Sequence, residues 1–236
     1  MIHTTDIPIA LSGHGLAKSF GRGARALRIL EGLDIALPRG AFSLIKGPSG
    51  CGKSTLLAIL AGLTAPDAGA VELIGTPIWS LKPGARDAFR LAQIGFIFQG
   101  SILFPALTAT EQIELVLGHM GIPAPEARQR ALAALADVGL AERAHLLPAA
   151  LSGGEKQRVA IACALAKAPA LIFADEPTSA LDTENAAMVG GLLGRLARHH
   201  ATTVVCVTHD DRLSTYADYI LTMNQGRITG TTTPEM

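Results

Sequence analysis

Residues 47 to 54 read Gly47-Pro48-Ser49-Gly50-Cys51-Gly52-Lys53-Ser54, with the Gly-x-x-x-x-Gly-Lys-Ser spacing of a phosphate-binding loop. The residue types explain the chemistry. Glycines let successive backbone N–H groups curl around an anion, and a helix beginning near Lys53 adds its positive dipole end. Lys53 reaches the β and γ oxygens of a nucleotide, and Ser54 offers a hydroxyl to Mg²⁺. A glycine-rich turn with a chance lysine is the competing reading, disfavoured because the loop lies between an apolar strand and a helix. Further on, Leu171-Ile172-Phe173-Ala174-Asp175-Glu176 runs an apolar strand into two carboxylates, which puts Asp175 at the sheet's carboxyl edge beside the phosphates. Asp175 is expected to hold the metal shell through water, and Glu176 to polarise a water for in-line attack on the γ-phosphate. Most Asp-Glu pairs are merely solvated; ending an apolar strand downstream of a phosphate loop makes this one a candidate catalytic pair.

Alternating strands and helices must hold these groups. Ala41–Lys46 reads as a short strand ending at the glycine loop, and Lys53–Leu63 as a helix closed by Gly62 and Pro66. Val71–Leu73 and Ile94–Phe98 are candidate strands. Leu171–Ala174 and Thr203–Val207 are continuous apolar runs of the kind buried on both faces of a parallel sheet. Between about Thr108 and Pro148 the pattern turns helical, with Glu111–His119 and Glu126–Val138 divided by Gly121-Ile122-Pro123-Ala124-Pro125. The expectation is an α/β core with an inserted helical subdomain, and there is no fixed-period repeat or low-complexity segment.

Composition narrows the function. The chain has 236 residues, enough for one domain or a domain with a subdomain. Lys+Arg and Asp+Glu each total 20, so no basic excess argues for a nucleic-acid partner. Hydrophobic residues make up 49%, yet no apolar run approaches the length of a membrane span; the excess points to a core plus a protein interface. Met1-Ile2-His3-Thr4-Thr5-Asp6 lacks the basic-then-apolar pattern of a signal peptide, so a cytosolic location is expected. Cys51, Cys163 and Cys206 show no paired spacing for a disulfide framework or a zinc site.

Leu151-Ser152-Gly153-Gly154-Glu155-Lys156-Gln157 resembles the signature sequence of the ATP-binding cassette (ABC) ATPases, and further motifs of that family fall in order around it. Gln99, after Phe96-Ile97-Phe98, matches the Q-loop; Ser179-Ala180-Leu181-Asp182 matches the D-loop; His209, in Val207-Thr208-His209-Asp210, matches the switch histidine. The resemblance covers nearly the whole chain. It implies a P-loop NTPase of ABC ATPase type, with a mostly parallel central sheet and an N-terminal antiparallel β part. The core would span about 1–98 and 166–236, and the helical subdomain about 99–165. It also implies ATP and Mg²⁺ as cofactors, with the loop from Gly47 to Thr55 on the phosphates and Ser54, Gln99 and Asp175 on the metal. Lys53, Glu176 and His209 would be the catalytic groups, His209 through the γ-phosphate. In the family the signature faces the nucleotide of a second cassette. Ser152, Gly153, Gly154 and Asp182 are therefore expected to complete the site of another copy in a head-to-tail homodimer. A helix start suits that role, because it attracts anionic phosphate. A unit-charge contact at about 4 Å is worth about 4 kcal/mol at an effective dielectric near 20, so losing the γ-phosphate would shift a dimer equilibrium by orders of magnitude. Ser152 with Glu155 also reads as an ordinary capping box, and both readings can hold together.

Phe20 sits where the family commonly stacks an aromatic on adenine, with core packing as the other reading. Cys163 departs from the family, which usually carries arginine there; the change is expected to remove a charge near the catalytic edge. A cassette without spanning helices implies a separate integral membrane permease docking on the helical subdomain, with this chain peripheral on the cytoplasmic face of the membrane. The wording around Gln99, the signature and His209 is most similar to the lipoprotein-release, macrolide-efflux and heterocyst-type exporter group. That implies export or extraction of an envelope substrate, with an importer ATPase or a regulator of cell-envelope enzymes as alternatives. DNA-repair and translation cassettes need insertions or a second cassette, and a small-molecule kinase has no use for Ser152-Gly153-Gly154 or His209.

Overall fold

The computed structural model describes residues 8–21 and 26–234. Strands β1 (Ile9–Phe20) and β2 (Leu27–Pro38) pair antiparallel, and β1 pairs on its other side with β4 (Ala68–Leu73), which carries the short β5 (Thr76–Pro77). The second sheet takes β3 (Phe42–Lys46), β6 (Ile94–Ile97), β7 (Leu171–Asp175), β8 (Thr203–Thr208), β9 (Tyr219–Asn224) and β10 (Arg227–Thr232) in the order β10-β9-β3-β8-β7-β6. All its pairings are parallel except β9 with β10. The helices are α1 (Lys53–Leu60), α2 (Pro83–Gln93), α3 (Ala109–His119), α4 (Ala124–Asp137), α5 (Gly153–Leu165) and α6 (Thr183–His200). Among the described residues no helix is long and apolar enough to cross a membrane.

The continuous apolar strands are explained by what lies on each side of the second sheet. Successive side chains point to opposite faces. Phe42, Leu44, Ile172, Ala174, Val204 and Cys206 face one core, built with α3, α4, α5 and α6. Ile45, Leu171, Phe173, Val205 and Val207 face the other, built with β1, β2, β4 and α1. Both faces being covered, the strands have no polar side. The N-terminal antiparallel sheet thus forms a layer over α1 and the parallel strands, and holds β2 against the phosphate loop.

Helix α1 ends at Leu60, three residues before the expected Leu63. Gly62 adopts φ +71°, its N–H donates to Ile59 at 3.1 Å and Leu63 N–H donates to Ala58 at 2.8 Å, a Schellman closure that glycine alone takes without strain. Strand β6 stops at Ile97 and leaves Phe98 exposed. Helices α3 and α4 match the two expected helical runs within two residues at each end. Helix α2 falls in a stretch to which the sequence analysis assigned no element; it buries no residue of its own and starts on Pro83.

Candidate nucleotide site

The phosphate loop joins the end of β3 to the start of α1. Gly50 and Gly52 have φ +78° and +103°, conformations that side-chain-bearing residues rarely adopt. Gly47 is required for a different reason: a Cβ there would stand 2.1 Å from the Met223 carbonyl oxygen of β9. Lys53 is buried, and its ammonium donates to the carbonyls of Gly47 at 2.8 Å and Pro48 at 3.0 Å, so its charge is held inside the loop. Ser54 Oγ donates to Asp175 Oδ1 at 3.0 Å, which brings the two halves of the sequence motif into direct contact across the β3–β7 edge.

Asp175 is half-buried. Burial raises its pKa, with the neighbouring Glu176 charge adding to the rise, while the Ser54 hydrogen bond and Lys53 oppose it. Glu176 has φ +49°, the left-handed region, where a non-glycine residue stores about 1–3 kcal/mol of strain unless its surroundings hold it. They do hold it. Its N–H donates to Val207 at 2.9 Å, and its carbonyl accepts from Ser179 N at 3.2 Å and Oγ at 3.0 Å. The carboxylate accepts from Thr208 Oγ1 at 2.7 Å, from His209 N at 3.2 Å and from His209 Nδ1 at 2.8 Å. Nδ1 must carry the proton in that last contact, because a carboxylate only accepts. His209 Nε2 has no protein partner among the described residues.

Phe20, Ile29, Ser49, Gly50, Gly52, Lys53, Ser54, Thr55, Gln99, Glu176 and His209 line one cleft of about 480 Å³. Phe20 stands 49% exposed at its rim with the Lys18 ammonium 5.6 Å from its ring centroid, so core packing does not hold it. Ile29, on β2, is a wall residue that the sequence analysis did not single out; an isolated apolar residue on a strand carries no signal of facing a ligand. Thr208 was noted there only as part of the histidine motif, yet it is fully buried and holds the Glu176 carboxylate.

Ser152, Gly153, Gly154 and Asp182 do not line the cleft. Ser152 caps α5 through a capping box: its Oγ accepts from Glu155 N at 3.2 Å, and Glu155 Oε2 accepts from Ser152 N at 2.8 Å. That bond holds the Glu155 carboxyl below its ordinary range. Ser152 and Gly153 are exposed. Asp182 caps α6, accepting from Asn185 N at 2.8 Å. Cys163 corrects an expectation. It lies near the C-terminal end of α5 beside Ile94, which pairs with Leu171 at the start of β7, whereas Asp175 closes the opposite end of that strand. There it lines a separate groove with Leu63, Leu91, Phe96, Val116 and Lys167. Burial pushes its thiol up to about 12 and the Lys167 ammonium down to about 8.

A parallel sheet whose strand-end loops gather a phosphate-type loop, two carboxylates, a glutamine and a histidine defines a P-loop nucleoside-triphosphatase. The chain belongs to the ABC transporter family, whose model matches residues 30–179. It is therefore an ATP-hydrolysing, ATP-binding subunit of an ABC transporter. It is 43% identical over 215 residues to the uncharacterized ABC transporter ATP-binding protein YbbA of Escherichia coli, covering 91% of this chain and 94% of that protein. To the lipoprotein-releasing system ATP-binding protein LolD of Bacteroides fragilis it is 42% identical over 214 residues, covering 91% and 97%. To the putative hemin import ATP-binding protein HrtA of Staphylococcus aureus it is 38% identical over 221 residues, covering 94% and 100%. Among solved structures it superposes with a TM-score of 0.90 at 34% identity on the ATP-binding cassette MJ0796, a dimer in a post-hydrolysis state bound to ADP and Pi, covering 96% and 99%.

Proposed function

We propose that the cleft binds ATP with Mg²⁺, and that two copies of the chain pack head to tail so that each completes the other's site. One observation carries this reading. Lys53, Ser54, Gln99, Glu176 and His209 converge on one cleft, while the exposed signature helix start at Ser152 and Gly153 lies outside it. A free helix start favours an anion, and in this arrangement the anion is the γ-phosphate held by the other copy. Ser54, Gln99 and Asp175 are the residues that would hold Mg²⁺: the Ser54–Asp175 contact already groups a hydroxyl and a carboxylate oxygen, donors that suit a hard cation. The ion supplies charge neutralisation on the phosphates. The protein's residues do the rest. Lys53 transfers its hydrogen bonds from the loop carbonyls to the phosphate oxygens. Glu176, aimed by Thr208, accepts the proton of the attacking water. His209 presents Nε2 to the γ-phosphate, and Phe20 offers its exposed ring to the base. Glu176→Gln is expected to bind ATP, hydrolyse it at least about a hundred-fold more slowly and accumulate a dimer on size exclusion. Normal hydrolysis by that variant would remove Glu176 from the role of base.

The permease docks, in this reading, beside Gln99. Phe98, Ile102 at 73% and Phe104 at 60% exposure leave three large apolar side chains uncovered just past the cleft. Buried Gln112 fixes that loop by accepting from Phe104 N at 3.0 Å and donating to the Phe104 and Leu107 carbonyls at 2.7 and 3.0 Å. Phe98 packs on Phe96, ring centroids 4.3 Å apart, and Phe96 lines the groove that contains Cys163. An integral membrane partner there would keep the chain on the cytoplasmic face of the membrane. Export or extraction of an envelope substrate is the proposed direction, supported by the likeness to LolD; the likeness to HrtA favours import as the second reading. Purifying the chain with its membrane partner separates them: a permease with four spans and a large extracytoplasmic domain supports extraction, and a six-span permease with a binding protein supports import.

A further inference from the structure

Beyond His209 the chain makes a short 3-10 turn, Asp211–Tyr216, whose first residues reach in several directions. Asp211 pairs with Lys46, the last residue before the phosphate loop. Asp210, mostly buried, accepts from Thr178 Oγ1 at 2.7 Å and from Arg212 Nε at 2.9 and 3.0 Å, and its Oδ2 lies 2.7 Å from an outer Arg212 nitrogen. The Arg212 outer nitrogens also donate to the carbonyls of Thr178 at 3.4 Å and Leu181 at 3.5 Å, the residue before Asp182. On the other side, Thr208 Oγ1 accepts from Asp210 N at 3.0 Å while donating to Glu176 at 2.7 Å. A continuous path of hydrogen bonds therefore links the Glu176 carboxylate, Thr208, Asp210, Arg212 and the turn that starts α6.

We propose that Arg212 is a positioning residue for hydrolysis: it locks the 177–182 loop to the end of β8, so that Glu176 and the Asp182 helix start move as one unit. The inference rests on the reading of Glu176 as the base. An ordinary surface ion pair contributes little, and an Asp-x-Arg pair at a turn is often no more than that. Here the planar guanidinium addresses a carboxylate with one edge and two backbone carbonyls with its remaining donors, a geometry that a lysine point charge cannot reproduce. What it fixes matters to the site, since Glu176 sits in a left-handed conformation that only its surroundings maintain. Arg212 itself does not line the cleft. It acts through its neighbours.

The test uses the purified full chain and steady-state ATP hydrolysis, nucleotide affinity and melting temperature. Arg212→Gln is expected to lower kcat about ten-fold while the KM for ATP changes less than about two-fold, with Arg212→Lys recovering part of the loss. Thr178→Val removes one buried hydroxyl from the same path and is expected to lower kcat in the same direction. The double variant should lose less than the product of the two single effects, the mark of a shared network. Wild-type kcat in a folded Arg212→Gln protein, or fully multiplicative losses, would overturn the proposal. Should Arg212→Gln fail to fold, wild-type kcat in Thr178→Val overturns it equally. Glu176→Gln run in parallel separates the two layers. If it is inactive while Arg212→Gln turns over normally, only the positioning role fails; if it hydrolyses ATP normally, the assignment of the base fails.

Discussion

Lys53 shows how a single residue is prepared before its ligand arrives. With its ammonium held by the carbonyls of Gly47 and Pro48, it would, in the proposed reading, exchange neutral acceptors for anionic ones when phosphate enters, a gain that charge-assisted bonds make large. Lys53→Ala is expected to lower kcat by about 10²–10³-fold, the cost of losing one preorganised charge donor, measured by phosphate release at saturating ATP. Gly47 carries a different lesson. The motif requires glycine for the phosphate, whereas the structure shows that the Met223 carbonyl already excludes a Cβ. Gly47→Ala should therefore lower the melting temperature of the nucleotide-free protein, which a purely ligand-facing glycine would not do.

At the scale of elements, two helices begin alike and differ in what they face. Thr108 with Glu111 and Ser152 with Glu155 form the same capping box, at the starts of α3 and α5. Losing either hydroxyl costs about 1 kcal/mol of stability. Thr108→Ala is expected to melt earlier and hydrolyse ATP normally, and Ser152→Ala to melt earlier and also lose turnover; equal turnover in both variants would leave Ser152 a cap and nothing more. The turn after β8 adds a pH dependence. Arg212, above all, and Thr178 hold the Asp210 carboxyl down to about 2. A depressed folded pKa contributes stability that is fully present above the unfolded value of about 3.9 and is lost as pH falls towards 2. Thermal melts of Asp210→Asn and wild type between pH 5 and 2 should converge as the pH drops. Helix α2 was passed over although its pattern is amphipathic: Phe89 packs half-buried against the core, and Arg90 anchors the helix by donating to the Gly62 carbonyl at 2.6 Å.

For the whole molecule, the proposed dimer makes activity depend on concentration. Specific activity per protomer is expected to fall on dilution and to be restored by ATP with the permease present; turnover that stays constant down to strict monomers would contradict the shared site. The exposed apolar loop past Gln99 gives a second handle. Phe104→Asp should leave hydrolysis by the isolated chain unchanged and abolish co-purification with the membrane partner, because a carboxylate cannot be buried unpaired at an apolar interface.

The sequence by itself determined the chemistry, since glycines, a lysine, carboxylates and a histidine at motif spacing permit few other uses. It also determined the parallel strands, whose unbroken apolar runs require cover on both faces. Tertiary structure alone decided the rest. Phe20 and Ile29 reach the phosphate loop from the N-terminal sheet because β1 and β2 are layered over α1, a long-range placement without local pattern. Cys163 was read as close to the catalytic edge, yet the helix carries it away towards the Lys167 groove. The bond between Ser54 and Asp175, distant in the chain, exists only because β3, β8 and β7 align their carboxyl ends in one sheet.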